Sequence, residues 1–319
     1  MSTVILFEGA SASGLGGLEE RPKTLDESQL LWVDLDAPPK DALAAVVEEF
    51  HLDQPTANRL GVEDGGPYFR DTEEYVHVCV STPTSEAGTE LIEVECVVGD
   101  RWVVTVHDGE AAVLEEFKER AGGSGATGEL DGPGFLATLV EWMLTEHAVA
   151  FERVEQELEE FDSRAMRGSE DAEDEIEHLI RLRNRVGWLR RSLTAHRMPL
   201  VALAHPELVG LKNEDSSQRF QLVLERFEST LQEARDARES TVSSFEVLIA
   251  RTGHRTNEIM KILTLASVIF LPGALIAGIL GMNFKVGLFE HNAYFWVALA
   301  MMVMIGVITL TVARLRRWI

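Results

Sequence analysis

From Lys261 to Phe284 the chain reads KILTLASVIFLPGALIAGILGMNF, and after Lys261 no ionisable side chain occurs before Lys285. That leaves 23 uncharged, mostly apolar residues in a row. As a helix such a run reaches about 34 Å, enough to cross a hydrocarbon core of roughly 30 Å. The stretch predicts a membrane span, and the rest of the chain has to be read around it.

The span is not uniform, as a simple anchor could be. At alternating spacings of three and four, Asn257, Met260, Thr264, Ser267, Leu271, Ala274 and Gly278 share one face, and most of them are small or polar. Polar groups inside a membrane are costly unless they meet protein or water. Two readings therefore stand for this face: close packing against like helices, or the lining of a wet path.

Residues 293–313 form a second uncharged run, 21 residues long, which ends at Arg314, Arg316 and Arg317. Arg251, Arg255 and Lys261 precede the first span. By the positive-inside rule both basic clusters face the cytosol, which places the loop 285–292 outside and the basic tail 314–319 inside.

Ahead of the first span lie 261 residues, enough for one or two buried cores. They carry 25 basic and 52 acidic side chains, so the body is strongly acidic while the tail is positive. That balance argues against nucleic acid as a partner and against the body lying on anionic lipid. It suits a vestibule that attracts cations, and equally a surface that is merely well solvated. Cys79 and Cys96 sit in apolar, strand-like runs without CxxC or Cys/His clustering, so they read as inert core thiols rather than a disulfide or zinc framework. MSTVILFEGASA at the start lacks the basic and long apolar regions of a signal peptide, so the body is expected to stay in the cytosol.

Within the body, strands are expected at 3–7, 30–34, 75–82, 91–98 and 101–107, with helices from the Asp36-Ala37-Pro38-Pro39 turn to about His51 and from about Gly109 to Arg120. Interleaved strands and helices make a cytosolic α/β domain over 1–121. The Gly-rich segment 122–134 then reads as a linker. Beyond it a helical stalk covers 135–261: Phe135 to Met166, Ser169 to about Arg197, a loop from Pro199 through Asp215, and one helix from Ser216 to Gly281 interrupted only by Pro272. Between Glu152 and Glu177 stand 12 acidic residues against three arginines, either a cation-attracting rim or a solvated helix face. The predicted fold class is thus α+β and mainly helical, with transmembrane helices at 262–284 and 293–313. No HExxH, GxSxG or Walker-type motif occurs, so neither an enzyme nor an ATP-driven pump is expected, and no cofactor is called for.

Gly281-Met282-Asn283-Phe284, with Thr256-Asn257-Glu258, Lys261, Pro272 and Ile276-Ala277-Gly278 upstream, a short loop, one further span and a basic C-terminus, resembles the CorA family of divalent-cation channels. The resemblance implies a homopentamer in the inner membrane with both termini cytoplasmic. Five copies of the first span would line one pore that imports Mg²⁺, and also Co²⁺ and Ni²⁺, down the electrochemical gradient. It implies a selectivity filter of Gly281, Met282 and Asn283, with the Asn283 amide holding a hydrated ion. Gly278, Ala274, Leu271, Ser267, Leu263, Met260 and Asn257 would lie deeper in the pore, and Glu246 near the cytosolic mouth. Alternatives remain open: a ZntB-like Zn²⁺ transporter, proton-coupled or not, and a cytosolic binding module merely anchored by the hairpin.

The chain departs from the family pattern at several points. Ala274 stands where the pore commonly has a threonine. Gln54-Pro55 is followed by Asn58-Arg59-Leu60 where Mg²⁺-regulated members carry acids, and the partner acid on the stalk falls at Leu222. The usual carboxylate sensor is therefore expected to be missing or moved. The outer loop is short, with Glu290 as its candidate cation attractor and His291 beside it.

Overall fold

The computed structural model of the chain describes residues 2–8, 11–62, 65–83, 90–109, 111–123, 131–167, 172–205, 214–282 and 292–315. It divides into two compact units, Met1–Ser244 and Phe245–Ile319.

The first unit is built on a seven-stranded sheet. Its strands are β1 (Ser2–Glu8), β2 (Ser11–Leu15), β3 (Gln29–Asp36), β4 (Tyr68–Asp71), β5 (Val76–Pro83), β6 (Leu91–Val98) and β7 (Trp102–His107), in the order β2-β1-β3-β7-β6-β5-β4. All neighbours are antiparallel except the central pair β3 and β7, which run parallel with Trp32 opposite Val103 and Asp34 opposite Thr105. Burial on both faces explains why these two strands, QLLWVDLD and WVVTVH, read as nearly continuous apolar runs rather than as alternation.

Successive residues of β3 serve opposite faces, as the pleat requires. Leu31, Val33 and Leu35 join Val46 and Leu52 in a core under helix α1 (Lys40–Glu49). On the other face Trp32 packs against Phe117 and Phe135, with ring centroids 5.8 and 5.0 Å away, which brings α3 (Ala112–Gly123) and α4 (Gly132–Arg167) onto the sheet. Gly132 makes that approach possible: a Cβ there would stand 2.0 Å from the Gly99 carbonyl oxygen, and its own N–H donates to the Asp100 carbonyl at 2.7 Å.

The five expected strands are present, and the structure adds elements that the sequence pattern did not announce. β2 (SASGL) and β4 (YFRD) are short edge strands with no apolar alternation, held by their neighbours rather than by their own side chains. Where a loop was expected after Pro199, the chain forms α6 (Arg197–Leu203). Pro199 falls in its first turn, where a missing N–H breaks no helical bond, so the proline starts this helix instead of preventing one. A short α2 (Gln54–Arg59) is capped by the Asp53 side chain, which accepts from the Thr56 N–H at 3.0 Å.

The remaining helices are α5 (Ala172–Ala195), α7 (Glu214–Leu280) and α8 (Asn292–Leu315). Within the first unit, Phe220, Val223, Phe227, Thr230, Ala234, Ala237, Thr241 and Ser244 of α7 are all buried, an unbroken three-four stripe. The Ser244 hydroxyl donates to Asp162 of α4 at 3.1 Å. Partners of this kind are what a 67-residue helix needs, since its own hydrogen bonds do not hold such a length straight in water.

Candidate functional site

The second unit is a helical hairpin. The apolar stretch of α7 has mean hydropathy 2.3 and that of α8 2.4, and both helices are long enough to cross a membrane. In the apolar stretch of α7, Leu265, Ala266, Ile269, Pro272, Gly273 and Ile276 are half-buried, and in α8 Ala298 and Ala313 are buried with Met302, Ile305, Gly306 and Thr309 half-buried between them. Each set follows helical spacing, so each helix turns one stripe toward the other. Gly273 marks the seam, because a Cβ there would lie 3.2 Å from the Met302 terminal methyl. Small residues at such a seam let two apolar helices approach closely.

Glu246, Asn257, Met260, Leu263, Thr264, Ser267, Leu271, Ala274, Gly278, Gly281 and Met282 are all exposed. At about 100° per residue those inside α7, from Glu246 to Gly278, cluster on one side of the helix, centred roughly 150° from Leu265, Ile269, Pro272 and Ile276. The polar stripe read from the sequence is thus the face of α7 that α8 leaves open. Glu246 belongs to it as well, two heptads before Met260.

Two hydroxyls of the stripe are already engaged. Thr264 donates to the Met260 carbonyl at 2.7 Å and Ser267 to the Leu263 carbonyl at 2.8 Å, each one turn back. Their presence in an apolar helix therefore does not by itself demand a partner helix, and their oxygens still offer lone pairs outward. Leu271 and Met260, 71% and 60% exposed, interrupt the polar run with large apolar side chains. At the end of the stripe the helix stops at Leu280, and the Gly281 N–H still donates to the Ala277 carbonyl at 2.9 Å. A Cβ on Gly281 would stand 3.2 Å from that same oxygen, which favours glycine at this turn. Asn283, Glu290 and His291 lie outside the described residues. Among the described residues no three His, Cys, Asp or Glu side chains gather as a metal-binding group.

The departures noted in the soluble unit have structural roles. Asn58 accepts from the Gln54 amide at 2.8 Å. Arg59 is turned inward, with Nε donating to Glu95 at 2.9 Å, Nη2 to the Gly66 carbonyl at 2.6 Å, and its guanidinium 4.9 Å from the Tyr68 ring centroid. Glu95 also meets Nε2 of the buried His77 at 2.9 Å. Leu222 is 60% exposed on α7.

Sequence reading missed a second polar cluster, in which the Asp34 carboxylate takes bonds from Thr105, from Lys118 at 2.8 Å and from Nε2 of His107 at 3.4 Å. Burial would push the Asp34 carboxyl up, yet His107, Lys118 and Thr105 together hold it below the usual carboxylate range. The available signal was the acid itself, since an Asp inside the apolar run LLWVDL needs partners to be buried. Lys118 ties α3 to the sheet through this group, which makes the cluster a fastening of the fold.

A sheet-bearing unit followed by a hairpin of two apolar helices defines the class: a membrane protein with two C-terminal spans and a large soluble body. The chain matches the family described as CorA-like Mg²⁺ transporter protein over residues 27–317, and it belongs to that family. Its members are transporters, not enzymes. The chain is 23% identical to the cobalt/magnesium transport protein CorA of Methanocaldococcus jannaschii, covering 93% of both chains, and 26% identical to the magnesium transport protein CorA of Wolinella succinogenes, covering 81% of both. The complete structure of the Methanocaldococcus jannaschii CorA magnesium transporter superposes with a TM-score of 0.80 at 21% identity, over 99% of this chain and 98% of that one.

Proposed function

We propose that this protein carries divalent cations across the membrane through a homopentameric pore lined by α7, importing Mg²⁺, with Co²⁺ and Ni²⁺ as further substrates. The observation that carries this reading is the exposed stripe from Glu246 to Met282, set opposite the seam with α8. Alternate small, polar and apolar residues have no use facing lipid. Facing four copies of themselves, they surround a path with α8 outside it.

Mg²⁺ gives up water reluctantly and prefers oxygen ligands. Neutral oxygens from Asn283, Ser267, Thr264 and Asn257 would pass a hydrated ion by weak contacts at several levels, which permits exit as well as entry. A potential of 100 mV supplies about 2.3 kcal/mol per charge, hence roughly 4.6 kcal/mol for a divalent ion, so the gradient suffices as fuel. Glu290 outside and Glu246 at the inner end would raise local cation concentration. The positive-inside arrangement supports cytoplasmic termini and an inner-membrane location.

The test is the mass of the purified protein in detergent together with uptake of Mg²⁺, Co²⁺, Ni²⁺ and Zn²⁺ into liposomes, with and without a pH gradient. Five copies and potential-driven Mg²⁺ uptake are expected, and Asn283→Ala should leave the pentamer while abolishing selective uptake. Normal Mg²⁺ flux in a well-formed Asn283→Ala pentamer would overturn the filter. Zn²⁺ flux that depends on the pH gradient, without Mg²⁺ flux, would replace the Mg²⁺ reading with a zinc transporter. A folded protein that passes no cation would leave only an anchored module.

A further inference from the structure

The pair of helices α4 and α5 carries a feature for which transport has no use. His178, Arg181, Leu182, Arg185 and Trp188 recur along α5 at spacings of three and four, so they share one face. With Glu157 of α4 they border a cleft of about 480 Å³. That volume lies inside the range of roughly 300–1,000 Å³ typical of small-molecule sites, and the lining combines apolar surface with a few converging polar groups, as such sites do.

Arg185 is its centre. The side chain is only 12% exposed, and Nη1 donates to Glu157 at 2.7 Å. The other edge of the guanidinium, Nε and Nη2, is buried and meets no partner among the described residues. This edge presents two parallel N–H groups, the geometry that takes a carboxylate or phosphate bidentately. Leaving charged donors buried and unmet costs their full desolvation, so the edge calls for an acceptor.

A second orphan stands beside it. Nε2 of His178 is likewise buried without a partner among the described residues, while the ring stacks on Phe161 with centroids 5.9 Å apart and planes 18° from parallel. Arg181, 61% exposed, is held by Glu177 at 2.7 Å in a surface pair that a better acceptor can displace. Burial, and after it the charges of Arg164 and Arg181, hold the His178 imidazole below its usual range. At this ring the two arginines act more strongly than Glu157.

We propose that this cleft binds a small molecule bearing a phosphate or carboxylate group, with the oxyanion held across Nε and Nη2 of Arg185. Arg181 and His178 Nε2 supply further donors. Leu182 and Trp188 cover the apolar body of the ligand. Such a molecule would bind the soluble unit independently of any cation in the membrane.

The experiment uses the full-length protein in detergent, titrated by calorimetry and thermal unfolding with inorganic phosphate, benzoate and phenyl phosphate at constant ionic strength, with chloride as control. Saturable binding is expected, at least tenfold tighter for phenyl phosphate than for inorganic phosphate. Arg185→Lys keeps the charge and loses the fork, and should weaken binding at least tenfold while leaving the unliganded unfolding temperature close to the parent's. Trp188→Ala should remove most of the preference for phenyl phosphate. No saturable binding beyond the chloride control, or binding in Arg185→Lys as tight as in the parent, would overturn the proposal.

Discussion

The backbone N–H of Ser81 in β5 donates to Nε2 of His196 at 2.8 Å, across 115 residues of sequence. That bond decides which form of the imidazole the fold accepts. With Nε2 an acceptor, the proton sits on Nδ1 and is shared between the carbonyls of Ser192 and Leu193 at 3.0 and 3.3 Å. A second proton on Nε2 would face the Ser81 N–H, and burial already pushes His196 down to about 4. Its neighbour His147, with ring centroids 5.8 Å apart, is pushed down to about 3 by burial and by His196.

Acid should therefore loosen the first unit. Both folded-state values lie below the ordinary imidazole value of about 6.5, so as pH falls the unfolded chain takes up protons first. The contribution is fully present above that value and is lost as pH falls toward 4, by up to about 1.4 kcal/mol per pH unit for each histidine. His107 has the opposite sign: burial lowers it, but the bond and charge of Asp34 outweigh burial and raise it, so its contribution fades as pH rises. Thermal unfolding of the full chain at pH 7.5, 6 and 5 should show His147→Leu with an unchanged or higher midpoint at pH 7.5 and a flatter acid slope. An acid slope as steep as the parent's would remove His147 from the account.

The seam between α7 and α8 makes a different demand. Gly273→Ala needs the Met302 methyl to yield by a few tenths of an ångström, because the new carbon would start 3.2 Å away. Gly273→Ile has no such route and should cost about 1–3 kcal/mol through overpacking. Expected is a near-parental unfolding temperature and flux for the alanine variant, with loss of both for isoleucine. Equal behaviour of the two would mean the helices do not meet at this position.

Leu271 and Met260 interrupt the polar stripe, and rings of apolar side chains can stop ions by dewetting a narrow path. Leu271→Ser and Met260→Ser should therefore raise basal cation flux several-fold without altering oligomeric mass. If neither conducts more than the parent at any Mg²⁺ concentration, the constriction lies elsewhere.

How much of this was legible in the sequence depended on whether a signal was local. The spans announced themselves through length and absence of charge, and the stripe through its three-four spacing. β6 was readable to the residue because the mostly apolar run LIEVECVV, bounded by Glu90 and Gly99, leaves little choice of ends. β2 and β4 were not, since edge strands borrow their order from neighbours. α6 was hidden by Pro199, whose effect reverses between the first turn and the middle of a helix. The role of Arg59 was invisible for another reason: Glu95, its partner, lies 36 positions away on a different element.

That pairing recasts the question of regulation. An arginine in place of an acid could have repelled cations from a site shared between chains, but Arg59 is spent inside its own chain on Glu95 and Gly66. With side chains 18% and 8% exposed, the pair is close to buried, and removing Arg59 leaves the Glu95 carboxylate with His77 alone to meet it among the described residues. Arg59→Ala should thus destabilise the soluble unit by about 3 kcal/mol, at the low end for breaking a buried pair because one partner is partly solvated. Leu222 supplies no cation ligand either. Mg²⁺ can shift a closed-open equilibrium only by its differential affinity for the two states, so without facing carboxylates closure should be shallow in internal Mg²⁺. Flux is expected to persist at millimolar-scale internal Mg²⁺ in the parent and in Arg59→Ala, with the variant distinguished by its lower unfolding temperature. Flux against internal Mg²⁺ in reconstituted protein decides it: a steep shut-off that disappears when one acidic position is neutralised would place a working sensor on other residues.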